Sequence, residues 1–112
     1  MKILSWDEFN SCINSITNIC EDNKFSGVHG FPRGGLCLAV ALSHSLNIPF
    51  LYKLKPGCLV IDDVYETGKT INQALNIPDT TTFVWYSKVK PKWWNAIEVC
   101  NPDEWLVFPW EN

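Results

Sequence analysis

Arginine occurs once in these 112 residues, at Arg33, and basic charge is scarce altogether: 9 Lys and Arg stand against 12 Asp and Glu, a formal net charge of −3. A protein dedicated to nucleic acid neutralises phosphates with a surplus of cations, so that class is excluded and any phosphate site has to be local. Long hydrophobic runs are missing. The longest, Leu36 to Leu42, falls far short of the roughly 20 residues of a membrane span, and no membrane partner is expected. The five cysteines, Cys12, Cys20, Cys37, Cys58 and Cys100, include no Cys-x-x-Cys pair, which argues against both a zinc site and a disulfide framework. They read as free thiols of a reducing compartment. Nor does the start, Met1-Lys2-Ile3-Leu4-Ser5 turning acidic at Asp7-Glu8, have the shape of a signal peptide, so a cytoplasmic location is expected. With 46% hydrophobic and 19% charged residues, the chain suits one small globular domain over residues 1–112.

Ser5 with Glu8 three residues on forms a capping box, and Phe9, Cys12, Ile13, Ile16, Ile19 and Cys20 then recur at helical spacing. This predicts an amphipathic helix over Trp6 to Asp22. Phe25 to His29 reads as a strand feeding the turn cluster Gly30-Phe31-Pro32-Arg33-Gly34-Gly35, and Leu36 to Leu46 as a second helix stopped by Asn47 and Pro49. His29 belongs to that strand and His44 to the helix surface; neither stands in a metal-ligand pattern.

Cys58-Leu59-Val60-Ile61 is the wholly apolar run of a strand buried on both faces of a parallel sheet. Phe50-Leu51-Tyr52 is another strand candidate. The five residues between them are too few for a parallel crossover, so the two segments form an antiparallel hairpin or do not pair, and Pro56-Gly57 favours the hairpin. A short helix over Lys69 to Leu75, a strand at Thr81 to Tyr86 and strands at Ala96 to Val99 and Trp105 to Phe108 complete the expectation: an α/β single domain with a mostly parallel central sheet flanked by helices. Trp93-Trp94 is expected as a subunit contact.

The most informative stretch is Leu59-Val60-Ile61-Asp62-Asp63-Val64-Tyr65-Glu66-Thr67-Gly68-Lys69-Thr70. A buried strand delivers adjacent acids to its carboxyl end, and a Thr-Gly-Lys-Thr loop opening a helix offers N–H groups and a positive dipole end to a phosphate. The acids would repel an anion and must face sugar hydroxyls or Mg²⁺. Both demands are met by a sugar phosphate. A Walker A loop is excluded, because its first glycine would fall at position 63, which is Asp63.

This stretch resembles the ribose-phosphate motif of the type I phosphoribosyltransferases, which use 5-phosphoribosyl-1-pyrophosphate (PRPP). Ser5-Trp6-Asp7, Pro32-Arg33-Gly34-Gly35-Leu36, Ser87-Lys88, and Pro102 to Leu106 with Pro109-Trp110-Glu111 extend the resemblance, in the same order, to the bacterial xanthine-guanine branch. The resemblance implies a Mg²⁺-dependent transferase of purine salvage, moving phosphoribose from PRPP to guanine, xanthine or hypoxanthine. Asp62 and Asp63 would hold the ribose and the metal, and Thr67, Gly68, Lys69 and Thr70 the phosphate. Arg33, Gly34 and Gly35 would stabilise the charge growing on pyrophosphate. Lys88 would donate to the purine O6, Trp105 stack on the base, and the Leu106 backbone read its far edge. Glu66 stands where the family usually has aspartate and would accept the purine proton. The family's flexible hood over PRPP is replaced here by Lys53 to Gly57, so a neighbouring subunit is expected to supply cover in a dimer or larger assembly. The same missing hood supports the alternative of a non-catalytic regulatory protein that binds PRPP or a nucleotide.

Overall fold

The computed structural model describes residues 1–111. Ser5 starts the first helix as its capping box requires: its hydroxyl accepts the Glu8 N–H at 3.0 Å, and the Glu8 carboxylate accepts the Ser5 N–H at 3.1 Å. Helix α1 (Trp6–Cys20) buries Phe9, Cys12, Ile13, Ile16 and Cys20 along one stripe. Ile19, expected on that stripe, lies just beyond its edge and is exposed. Helix α2 (Gly34–Leu46) ends at Asn47 in the left-handed conformation, φ 54°, a position asparagine tolerates.

Two parallel sheets are present. The main one has the order β2 (Val28–Gly30), β3 (Leu59–Tyr65), β4 (Thr81–Ser87), β5 (Asn95–Val99), all neighbours parallel. A second pairs β1 (Lys2–Ile3) with β6 (Leu106–Val107), tying the start of the chain to its tail. The alternation along β3 divides the core. Leu59 and Ile61 join α1, α2, Phe83 and Trp85 on one face, while Cys58, Val60 and Val84 join Phe31, Leu51, Ile71, Ala74 and Trp94 on the other. Leu59, Val60 and Ile61 are fully buried, as a strand covered on both faces must be.

Three expectations are corrected. Phe50 and Cys58–Ile61 do not form a hairpin: Phe50 bridges Val28 in parallel, β3 pairs with β2 on its other side, and β2 lies between them. The helix expected at Lys69 to Leu75 is a 3-10 turn, Ile71–Asn76, because Gly68 holds φ +78° and the 3-10 turn begins only after Thr70. Trp94 is no surface contact; it is buried in the crossover between β4 and β5, while Trp93 beside it stays partly exposed. Among the described residues no helix is long and apolar enough to cross a membrane.

Candidate functional site

Strands β2, β3 and β4 all release their chains at one edge of the sheet, where ligands of parallel α/β folds collect. The turn after β2 is held against β3: the Phe31 N–H donates to the Ile61 carbonyl at 3.1 Å, and the Gly35 N–H donates to the Phe31 carbonyl at 2.8 Å. The Pro32–Arg33 peptide is cis. Gly34 then lies so close to β3 that a Cβ there would run into the Asp63 carboxylate. Two segments separated by nearly thirty residues thus become the adjoining walls of one site.

Three cavities meet at Asp63. One of about 280 Å³ is walled by Pro32, Gly34 and the run from Asp62 to Ile71. A wider one of about 620 Å³ lies between Arg33, Gly34, Asp63, Trp110 and Glu111. The third, about 220 Å³, is lined among others by Asp63, Glu66, Lys88, Trp105 and Leu106. Of the residues singled out from the sequence, Arg33, Gly34, Asp62, Asp63, Glu66, Thr67, Gly68, Lys69, Thr70, Lys88, Trp105 and Leu106 all stand on these walls. Gly35 does not. It is buried behind them, where a Cβ would come within 2.7 Å of the Ile61 carbonyl.

Burial dominates the electrostatics of the acid pair. It pushes the Asp62 carboxyl up to about 8, helped by the neighbouring Asp63 charge, even though Asp62 accepts the Asp63 N–H at 2.9 Å. Asp63 is also raised, by burial, against the opposing effect of the Val64 N–H it accepts at 2.8 Å. Adjacent acids that resist ionisation are poised for hydroxyl donors or a cation. Among the described residues no group of three or more His, Cys, Asp and Glu stands together as a metal cage. Two hard carboxylates at the edge of an open cavity nevertheless fit a Mg²⁺ ion, which keeps waters and shares substrate oxygens rather than demanding an all-protein shell.

In the third cavity the Lys88 ammonium pairs with the Glu66 carboxylate at 3.2 Å, Lys88 being 15% and Glu66 55% exposed. Trp105 presents its indole freely, 69% exposed. Sequence reasoning passed over Tyr65 and Glu111. The Glu111 carboxylate accepts the Phe108 N–H at 2.9 Å and lines two of the cavities. Only its place beside Pro109-Trp110 in the resembling tail pointed to it.

A parallel sheet whose strand β3 carries adjacent acids towards its carboxyl end, faced by a glycine turn, resembles the architecture of the type I phosphoribosyltransferases. Among proteins of that class, the chain is similar to the bacterial xanthine-guanine enzymes. It is 24% identical to a xanthine-guanine phosphoribosyltransferase of Desulfotalea psychrophila, over 96% of this chain and 84% of that one. A purine phosphoribosyltransferase from Pyrococcus horikoshii superposes with a TM-score of 0.80 at 26% identity, covering 99% of this chain and 93% of that one. A hypothetical protein from Neisseria gonorrhoeae with bound ppGpp superposes at 0.77 with 16% identity, over 99% and 90%. No family model matches the chain.

Proposed function

We propose that this protein transfers phosphoribose from PRPP to a 6-oxopurine with Mg²⁺, releasing pyrophosphate. The observation that carries the proposal is the meeting of three cavities at Asp63, which gives a phosphate wall, a glycine-arginine wall and an aromatic wall one shared corner. In this reading the ribose hydroxyls donate to Asp62 and Asp63, relieving the burial that holds their protons on. The backbone of Thr67 to Thr70 and the Lys69 ammonium receive the 5-phosphate. Arg33 and the turn at Gly34 take the pyrophosphate as the C1–O bond breaks, where a planar guanidinium matches two oxygens at once. Mg²⁺ held by Asp62 and Asp63 would neutralise charge on the leaving group.

The purine would lie against Trp105, with the Leu106 backbone at its edge. In a 6-oxopurine, O6 and N7–H are neighbours on one edge, and the Glu66–Lys88 pair matches them. The ammonium has three donors, so it can keep Glu66 and still donate to O6. The Glu66 carboxylate accepts the proton from N7, and N9 forms the new bond to C1. A 6-amino group would place a donor against Lys88, which disfavours adenine. We further propose that the enzyme works in the cytoplasm, in keeping with its five free thiols, and that a second subunit covers the site.

A second reading, a regulatory protein that binds PRPP or a nucleotide without turnover, is favoured by the likeness to the ppGpp-bound Neisseria protein and by the short link between Phe50 and β3. Pyrophosphate release separates the two. It should be followed with PRPP, Mg²⁺ and each of guanine, xanthine, hypoxanthine and adenine, with Asp63→Ala as the control. Release with a 6-oxopurine that disappears in the variant supports the transferase. No release with any base, while PRPP still raises the melting temperature, supports the regulator.

A further inference from the structure

Tyr65 closes β3 and takes no part in the chemistry above, yet it touches both halves of the site. Its ring stacks on Trp94 with centroids 3.6 Å apart and planes 10° from parallel. Trp94 is in turn fixed, 5% exposed, with its indole N–H donating to the Ser87 hydroxyl at 3.2 Å. The Ser87 hydroxyl donates onward to the Val89 carbonyl at 2.5 Å. At its tip the phenol lies against the phosphate loop: a Cβ on the buried Gly68 would run into the Tyr65 hydroxyl and the ring carbon that bears it, and would stand 2.9 Å from the Asn72 side-chain oxygen. The Gly68 carbonyl accepts the Asn72 N–H at 2.8 Å, so the loop abuts the tyrosine and is tied to the 3-10 turn beyond. The Tyr65 carbonyl, meanwhile, accepts the N–H of Lys88 at 2.9 Å.

We infer that Tyr65, braced by Trp94, is a positioning residue that sets the height of the Thr67–Thr70 loop and so the distance between the phosphate and base subsites. Glycine at position 68 is then required twice over, by its φ of +78° and by the phenol that occupies the space a side chain would need. Loss of the ring lets the loop sink towards β4 and spoils the alignment of its amides on the phosphate, while the Tyr65 backbone still holds Lys88 for the base.

The inference rests on the proposed phosphoribose site, and ribose 5-phosphate titrated calorimetrically against four proteins tests each separately. Tyr65→Leu should bind ribose 5-phosphate about tenfold more weakly, Tyr65→Phe within about twofold of the parent, and Trp94→Phe about threefold more weakly, on the scale of a lost or weakened aromatic pair. In turnover, Tyr65→Leu should raise the KM for PRPP about tenfold and that for the base by less than about twofold. A parent protein that does not bind ribose 5-phosphate overturns the site itself. Parent binding with undiminished affinity in Tyr65→Leu, or an equal rise in both KM values, overturns the positioning role alone. Should Tyr65→Leu fail to fold, Trp94→Phe decides: unchanged affinity there refutes the inference.

Discussion

Replacing Asp62 by asparagine should make the ligand-free protein more stable and PRPP invisible to it. The side chain keeps its shape, and its oxygen still accepts the Asp63 N–H, so above about pH 8 the change removes only a charge from a crowded, buried corner. Burial and the Asp63 charge lift the Asp62 carboxyl from 3.8 to about 8. Below pH 3.8 folded and unfolded chains both hold this proton and no penalty exists. Between 3.8 and about 8 the unfolded chain releases it while the folded chain keeps it, so stability falls as pH rises; above about 8 the penalty is complete. At roughly 1.4 kcal/mol per pH unit the ceiling is about 6 kcal/mol, and water entering the open cavity reduces this to about 2 kcal/mol. Asp62→Asn should therefore raise the melting temperature by roughly 8 °C at pH 8.5 and by far less at pH 5. Unfolding scans at both pH values, with and without PRPP and Mg²⁺, measure it. A variant no more stable than the parent at pH 8.5, or one equally stabilised by PRPP, refutes the account of the acid pair.

Arg33→Ala should leave the melting temperature within about 1 °C, since the side chain is exposed, and lower pyrophosphate release about a hundredfold, followed in a coupled assay. Gly34→Ala puts a methyl group where the Asp63 carboxylate lies; the fold should survive while PRPP-dependent thermal stabilisation disappears. Lys88→Ala breaks its pair with a half-exposed Glu66, so it should cost under about 1 kcal/mol of stability in urea titrations. It should nonetheless raise the KM for a 6-oxopurine about tenfold. Trp105→Ala removes a 69% exposed indole and should weaken base binding about tenfold by loss of stacking, with no change in melting temperature.

Where the determinants were local, the sequence disclosed them. The capping box at Ser5, the apolar run Leu59 to Ile61 and the asparagine stop at Asn47 each carry their own cause within a few residues; both helices lie close to where expected, while β3 continues past Ile61 through Asp62 and Asp63 to Tyr65. Distant pairings were hidden. Lys2 and Ile3 have no alternation to betray a strand, and their partners Leu106 and Val107 stand at the far end of the chain. The Phe50 bridge is not expressed in connection length, which decides only whether two neighbouring runs can pair with each other. Both instead pair with Val28, on its opposite sides. Trp94 failed for a related reason: its burial depends on a crossover that lays it on Tyr65, which no spacing in Pro91 to Trp94 expresses. The site residues were legible as types, acids after an apolar strand and glycines after another. The contact of Gly34 with Asp63, which turns two motifs into one corner, required the sheet.

The link Lys53 to Gly57, ahead of β3, is anchored away from the candidate site. The Ser26 hydroxyl donates to the Pro56 carbonyl at 2.8 Å, the Gly57 carbonyl accepts the Ser26 N–H, and the Gly57 N–H donates to the Pro78 carbonyl, all on the edge where β2, β3 and β4 begin. Only Tyr52 to Leu54 reach towards the ligand side, lining a crevice with Pro32 and Thr70, and Tyr52 is 88% exposed. A segment so short and so pinned cannot close over Asp63. Charges in an uncovered site are screened by water and salt, so each contact that Arg33, Lys69 and Lys88 would make with the proposed substrates is worth less than in a sealed pocket. Binding tolerates this, because several weak contacts add. Transition-state stabilisation tolerates it poorly, because it depends on the difference between two charge distributions within the same screened volume. Cover from a second subunit would restore that difference, and the catalytic question for this fold is therefore also a question about its assembly.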